Sequence, residues 1–198
     1  MNAAEPSSQR AGLLWRPLAM LLRPGRTLDA VADHHADSVA LYVGYVLPLA
    51  AIGPVCGTIG LLVFGGGIAG IHMKMDAWPT ILLEVLNYVF SLIGVYLLAL
   101  AIAVLGPLFG ATGGRLQALK LVAYACTAVW VAGLFAVYPT LGFAMMLLGG
   151  IYSLYALYLG LGPVMRAPAD KALTFFAAIL GAALVIGLVL RLARGRTI

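Results

Sequence analysis

Two polar residues, Glu84 and Asn87, lie inside a long apolar stretch of the sequence. Residues three apart share one face of a helix, and an ionisable side chain at membrane depth is costly enough to suggest a function. Together they could bind a proton or a cation. Glu84 is also close enough to the start of its stretch to reach the membrane interface or the positive end of its helix dipole. The sequence leaves both interpretations open.

Two prolines, Pro48 and Pro54, fall in the middle of another apolar stretch. Proline has no backbone N–H and crowds the carbonyl four residues earlier, so each one predicts a kink. A broken helix with freed carbonyls can hold an ion or a polar solute, as in transporters. Kinked helices whose carbonyls are satisfied by neighbours or water are also common. The prolines are therefore candidates for the same polar site as Glu84 and Asn87.

A short polar segment contains His34 and Asp37, which are residue types that bind metals. Adjacent histidines, here His34 and His35, point about 100° apart on a helix and cannot both join one site, so we expect no metal. The sequence has no P-loop, no HExxH and no CxxC. We therefore expect a protein that is not an enzyme and that carries no cofactor.

Five apolar stretches must position these residues, and the predicted spans are 39–64, 81–109, 117–138, 141–162 and 172–191. About 20 apolar residues are enough to cross the hydrocarbon core. The uncharged run 121–165 would be about 67 Å long as one helix, roughly twice the core thickness, so it must reverse near 138–142. The predicted fold is an all-α, polytopic membrane helix bundle with five transmembrane helices, occupying residues 39–192.

The composition gives the same result, with 63% hydrophobic and only 10% charged residues and a mean hydropathy of +1.05. Soluble domains carry roughly 25% charged residues. The net charge of +5 does not indicate nucleic acid, because the cations lie at the ends of apolar runs. Cations in those positions are typical of topology signals and headgroup contacts.

Residues 1–38 are predicted to form a cytoplasmic segment at the membrane interface, part of which is amphipathic. With this N-terminus inside, eight cations would be cytoplasmic and the outer loops would hold only Lys74, as the positive-inside rule expects. We therefore predict a multi-pass protein of the inner (cytoplasmic) membrane. The short basic tail, 193–198, conflicts with the rule because its arginines, together with Arg191, would then lie outside.

Several short motifs resemble, in their order and spacing, those of the Yip1 family. They are Tyr45-Val46-Leu47-Pro48-Leu49, Gly113-Gly114-Arg115, Lys120-Leu121-Val122-Ala123-Tyr124, Tyr138-Pro139, Tyr152-Ser153-Leu154-Tyr155, Gly160-Leu161, and Met165, Pro168 and Lys171-Ala172.

The resemblance implies a five-span membrane protein with a cytoplasmic N-terminus. Eukaryotic members are implied to act in membrane trafficking by binding Rab-type GTPases through a long N-terminal region and an Asp-Leu-x-Gly-Pro motif. This chain keeps only Gly53-Pro54 of that motif and has Ala50 in place of the acid. We therefore expect similarity to the short bacterial members and no Rab binding.

Our leading interpretation is a non-catalytic inner-membrane protein that organises lipids or other membrane proteins, or that self-associates. Its predicted lipid or partner surface comprises Trp15, Arg16, Arg23, Arg26, Arg115 and Lys120. The alternative is a small ion or solute transporter or channel. Its polar site would be Glu84 and Asn87 beside the kink at Pro48 and Pro54.

Overall fold

The computed structural model describes residues 20–22, 24–33, 38–65 and 76–195. All regular structure in those residues is helical. Among them, five helical segments are long and apolar enough to cross a membrane, and they are called the first to fifth spans here: Ser38–Phe64, Ala77–Phe109, Arg115–Val137, Leu141–Gly160 and Ala172–Gly195. This confirms the predicted all-α membrane bundle.

The first span is broken where its sequence predicts a kink. It comprises helices Ser38–Leu41, Leu47–Ala50 and Ile52–Phe64, with a π-helical turn at Tyr42–Val46. At the end of that turn the Leu47 N–H bonds to the carbonyl of Tyr42, five residues earlier. The widened turn ends two residues before Pro48, which has no N–H to donate. A second irregularity at Ala51 separates the last two helices.

The other four spans are also built from helices and short 3-10 turns. These are Ala77–Leu105, the 3-10 turn Gly106–Phe109, Arg115–Ala125, Thr127–Ala132, the 3-10 turn Gly133–Val137, Pro139–Gly160 and Ala172–Gly195. The predicted reversal between the third and fourth spans occurs at Tyr138, whose backbone is extended. Pro139 then occupies the first turn of the next helix, where a missing N–H costs nothing.

Two spans are longer than the sequence indicates. The second span begins at Ala77 rather than at residue 81, because Trp78 and Pro79 belong to its first helical turn. The fifth helix continues to Gly195, so residues 193–195 extend the span instead of forming part of a tail. Arg194 consequently lies in the last turn of a transmembrane helix.

The third span is the centre of the bundle. In its most hydrophobic part, 56% of the residues are buried, against 11–22% in the other four spans. It crosses the first span closely, since a Cβ built on Gly133 would lie 2.7 Å from the Cα of Gly53. Small residues allow such close approaches between membrane helices.

Candidate functional site

A polar cluster forms between the second and fifth spans. The Asn87 side-chain amide donates a hydrogen bond to Glu84 Oε2 at 3.4 Å, and Arg194 Nη1 donates to Asn87 Oδ1. Asn87 therefore bridges the carboxylate and the guanidinium. The sequence-predicted pair of Glu84 and Asn87 does lie together, and Arg194 is the residue that sequence reasoning missed.

The first span completes the surroundings of Glu84 through Gly57. A Cβ built on Gly57 would lie 3.5 Å from Glu84 Oε1, an ordinary van der Waals contact. Glycine thus leaves space for the carboxylate between two packed helices. Gly57 is three residues after Pro54, so the carboxylate is next to the broken first span, although the contact is with the glycine.

The carbonyls around the two prolines have hydroxyl partners. The Tyr88 hydroxyl donates to the carbonyl of Leu47 at 3.0 Å, and Thr58 Oγ1 donates to the carbonyl of Pro54 at 2.8 Å. Side chains can satisfy the irregular backbone of a broken membrane helix in this way. Pro48 itself is exposed and Pro54 is partly buried. The carbonyl of Leu47 also accepts the backbone N–H of Ala51 at 3.3 Å, so it is not one of the carbonyls that a proline leaves free.

A cavity of about 240 Å³ adjoins the cluster. Its polar walls come from Asn87 and Ser91 on the second span and from Arg191 and Arg194 on the fifth. This is the end of the bundle where the first span finishes and the second begins, and we call it the Glu84 end. With two arginines on its wall, the cavity suits an anion better than a cation.

The opposite end, where the first, third and fifth spans begin, carries Arg115 and is called the Arg115 end here. Arg115 is exposed at the first residue of its helix, and its contact with lipid or a partner stays a prediction. Lys120 was predicted to share that surface, and this is wrong: it is only 3% exposed. The third span is the core of the bundle, so a residue five positions further along it lies inside.

An N-terminal helix, Pro24–Asp33, lies against the Arg115 end. Leu28 is fully buried on it, and a Cβ built on Gly160 of the fourth span would lie 3.3 Å from Leu28 Cδ2. The Tyr152 hydroxyl of the same span donates to the carbonyls of Met20 and Leu21, at 3.2 and 2.8 Å. The described part of the predicted interfacial segment, residues 20–22 and 24–33, thus contacts the bundle.

Several predicted residues lie outside the described part of the chain. They are Trp15, Arg16 and Arg23 of the proposed surface and His34 and Asp37 of the weak metal hypothesis. Of the surface cations on the N-terminal segment, Arg26 is described, and it is exposed. These hypotheses remain predictions.

The fold and these two ends define a polytopic, all-α membrane protein, with five spans in the residues that the structure describes. A family model described as the Yip1 domain matches residues 18–191, which is most of the chain. The protein therefore belongs to the Yip1 family, as its sequence motifs predict. No curated protein and no solved structure matches the chain.

Proposed function

We propose that this Yip1 protein is a non-catalytic organiser of the inner (cytoplasmic) membrane, with its N-terminus in the cytoplasm, that binds lipids and other membrane proteins at its Arg115 end. The observation that carries the proposal is the docking of the N-terminal helix. The burial of Leu28 holds this helix beside the bundle, and the Tyr152 hydroxyl bonds to the carbonyls of Met20 and Leu21, a few residues before the helix.

A docked helix supports binding because its orientation is set in advance. Arg26 is exposed on this helix, and Arg115 is exposed at the same end of the bundle. Cations near a membrane surface attract anionic headgroups, each by about 1 kcal/mol. An ordered surface also loses less entropy when a partner binds than a free segment does.

The test compares Leu28→Ala, which loosens the docked helix, with Leu22→Ala, since Leu22 is 72% exposed. Cross-linking followed by mass spectrometry identifies the proteins next to each variant in cells, and lipid extraction identifies the lipids that co-purify with it. We expect Leu28→Ala to change both profiles and Leu22→Ala to leave them as in the original chain. Unchanged profiles for Leu28→Ala would contradict the proposal.

A small ion or solute transporter or channel is the second candidate, and the cavity of about 240 Å³ beside Asn87 and Arg194 favours it. Its test is flux into sealed vesicles that contain the purified protein. Transport that disappears in Glu84→Gln would support this function. No flux across a panel of ions and small solutes would favour the organiser.

A further inference from the structure

A groove runs between the first and second spans at the Arg115 end. Its volume is about 490 Å³, and its walls come from four residues within 38–43 of the first span and four within 92–97 of the second, together with Leu119 of the third. Val39, Val43, Ile93 and Tyr96 are all exposed on its surface. In a membrane this apolar groove faces the acyl chains.

The shape of the groove follows from the irregular first span. Tyr42 and Val43 belong to the π-helical turn, and both line the groove. The Tyr42 hydroxyl donates to the carbonyl of Leu92 on the opposite wall. This hydrogen bond joins the first and second spans across the groove. Turns of this kind often occur at functional sites.

A second cavity of about 170 Å³ continues the groove toward the third span. The two cavities share Ser38, Tyr96 and Leu119, and the second one has Arg115 on its wall. The combined site is apolar along the spans and cationic where the third span begins. A phospholipid with its phosphate at that interface has the complementary arrangement.

We propose that the groove binds one phospholipid with an anionic headgroup, placing an acyl chain between residues 38–43 and 92–97 and the headgroup phosphate on Arg115. Guanidinium groups form charge-assisted, two-pronged hydrogen bonds with phosphate oxygens. The inference rests on the proposed function and names the lipid class and its site.

The test is native mass spectrometry of the purified full chain, titrated with equal amounts of phosphatidylglycerol and phosphatidylcholine. We expect the original chain to retain phosphatidylglycerol preferentially. In Arg115→Gln this preference should fall about fivefold, the size expected when one cation is lost next to an anionic headgroup. The matched control is Lys171→Gln, because Lys171 is an exposed cation at the same end of the bundle but outside both cavities.

Binding of the acyl chain in the groove is tested by a separate variant with its own control. Ile93→Trp fills the groove, and Ile151→Trp adds the same side chain on an exposed part of the fourth span. We expect Ile93→Trp to abolish retention of the lipid and Ile151→Trp to keep it. Equal losses in Arg115→Gln and Lys171→Gln, or full retention in Ile93→Trp, would overturn the proposal.

A measurement on the unchanged chain covers the case in which Ile93→Trp does not fold. Phosphatidylglycerol with a photoreactive diazirine in the middle of one acyl chain is added to the purified protein, and the labelled peptides are sequenced. Labels should concentrate in residues 38–43 and 92–97. Labels spread equally over the exposed fourth span would show ordinary contact with bulk lipid and would overturn the site. Since this assay reads bound lipid alone, the organiser role and the lipid site can fail separately.

Discussion

The arginines at the two ends of the bundle differ in their hydrogen-bond partners. At the Glu84 end, Arg194 bonds to Asn87, and Asn87 bonds to the Glu84 carboxylate, so the charge of Arg194 has a partner within the chain. At the Arg115 end, no described residue offers the Arg115 side chain a hydrogen bond or a carboxylate. Arg115 also stands at the first residue of a helix, where the positive end of the dipole disfavours a cation.

This difference separates a cation that stabilises the fold from one that is available for binding. The cluster at the Glu84 end joins two helices, and removing either Glu84 or Arg194 would leave the other charge without its partner. The Arg115 end has a cation on the wall of the cavity that continues the apolar groove, where we propose that it binds a lipid headgroup. The comparison therefore predicts opposite consequences for replacing the two arginines.

The largest loss of stability is expected from a substitution that loosens the N-terminal helix, Pro24–Asp33, at the Arg115 end. Leu28 is fully buried beside the fourth span, and replacing a buried leucine by alanine typically costs about 2–5 kcal/mol. We expect Leu28→Ala to weaken docking of the N-terminal helix by about 2–3 kcal/mol. Hydrogen exchange of residues 24–33 should rise strongly, while exchange in the spans should change little. Equal exchange in Leu28→Ala and the unchanged chain would mean that the helix is held elsewhere.

The next largest effect distinguishes the two arginines directly. Arg194→Ala leaves Asn87 and the half-buried Glu84 without their cation, so we expect a loss of about 1–2 kcal/mol in the free energy of unfolding in detergent. Arg115→Ala should change it by less than about 0.5 kcal/mol, as for ordinary surface substitutions.

A double-mutant cycle isolates the interaction within the cluster. Glu84→Gln should couple to Arg194→Ala by about 0.5–1 kcal/mol, because the two groups belong to one network. Glu84→Gln and Arg115→Ala should be additive, since they lie at opposite ends. Equal losses of stability for the two arginine variants would remove the distinction between the two ends.

The sequence predicts the five spans and the pairing of Glu84 with Asn87, because apolar length and helical spacing are local properties. It does not predict Arg194 as a partner, since that contact requires the end of the fifth helix and its antiparallel packing on the second span. A signal was present: the tail arginines conflict with the positive-inside rule. A cation bonded to Asn87 has a structural reason to be at that end.

Lys120 shows why burial inside the bundle could not be predicted from the sequence. Charge alone places it with Arg115 on a surface, but the third span is the most buried of the five. Sequence hydropathy does not distinguish a helix surrounded by lipid from one surrounded by other helices, because both environments are apolar. The groove is beyond sequence reasoning for a similar reason, since it depends on the spacing of two helices around the π-helical turn.

The smallest effect tests how tightly Glu84 is enclosed. Since a Cβ on Gly57 would make only ordinary contact with the carboxylate, and alanine favours helix over glycine, Gly57→Ala should change the free energy of unfolding by less than about 0.5 kcal/mol. Gly133→Ala is the matched control, because its Cβ would lie 2.7 Å from the backbone of Gly53 and must push two helices apart. Thermal unfolding in one detergent compares the pair. A loss for Gly57→Ala as large as that for Gly133→Ala would mean that Glu84 is clamped between the first and second spans, making the Glu84 end a tightly packed structural element with no spare room for an ion.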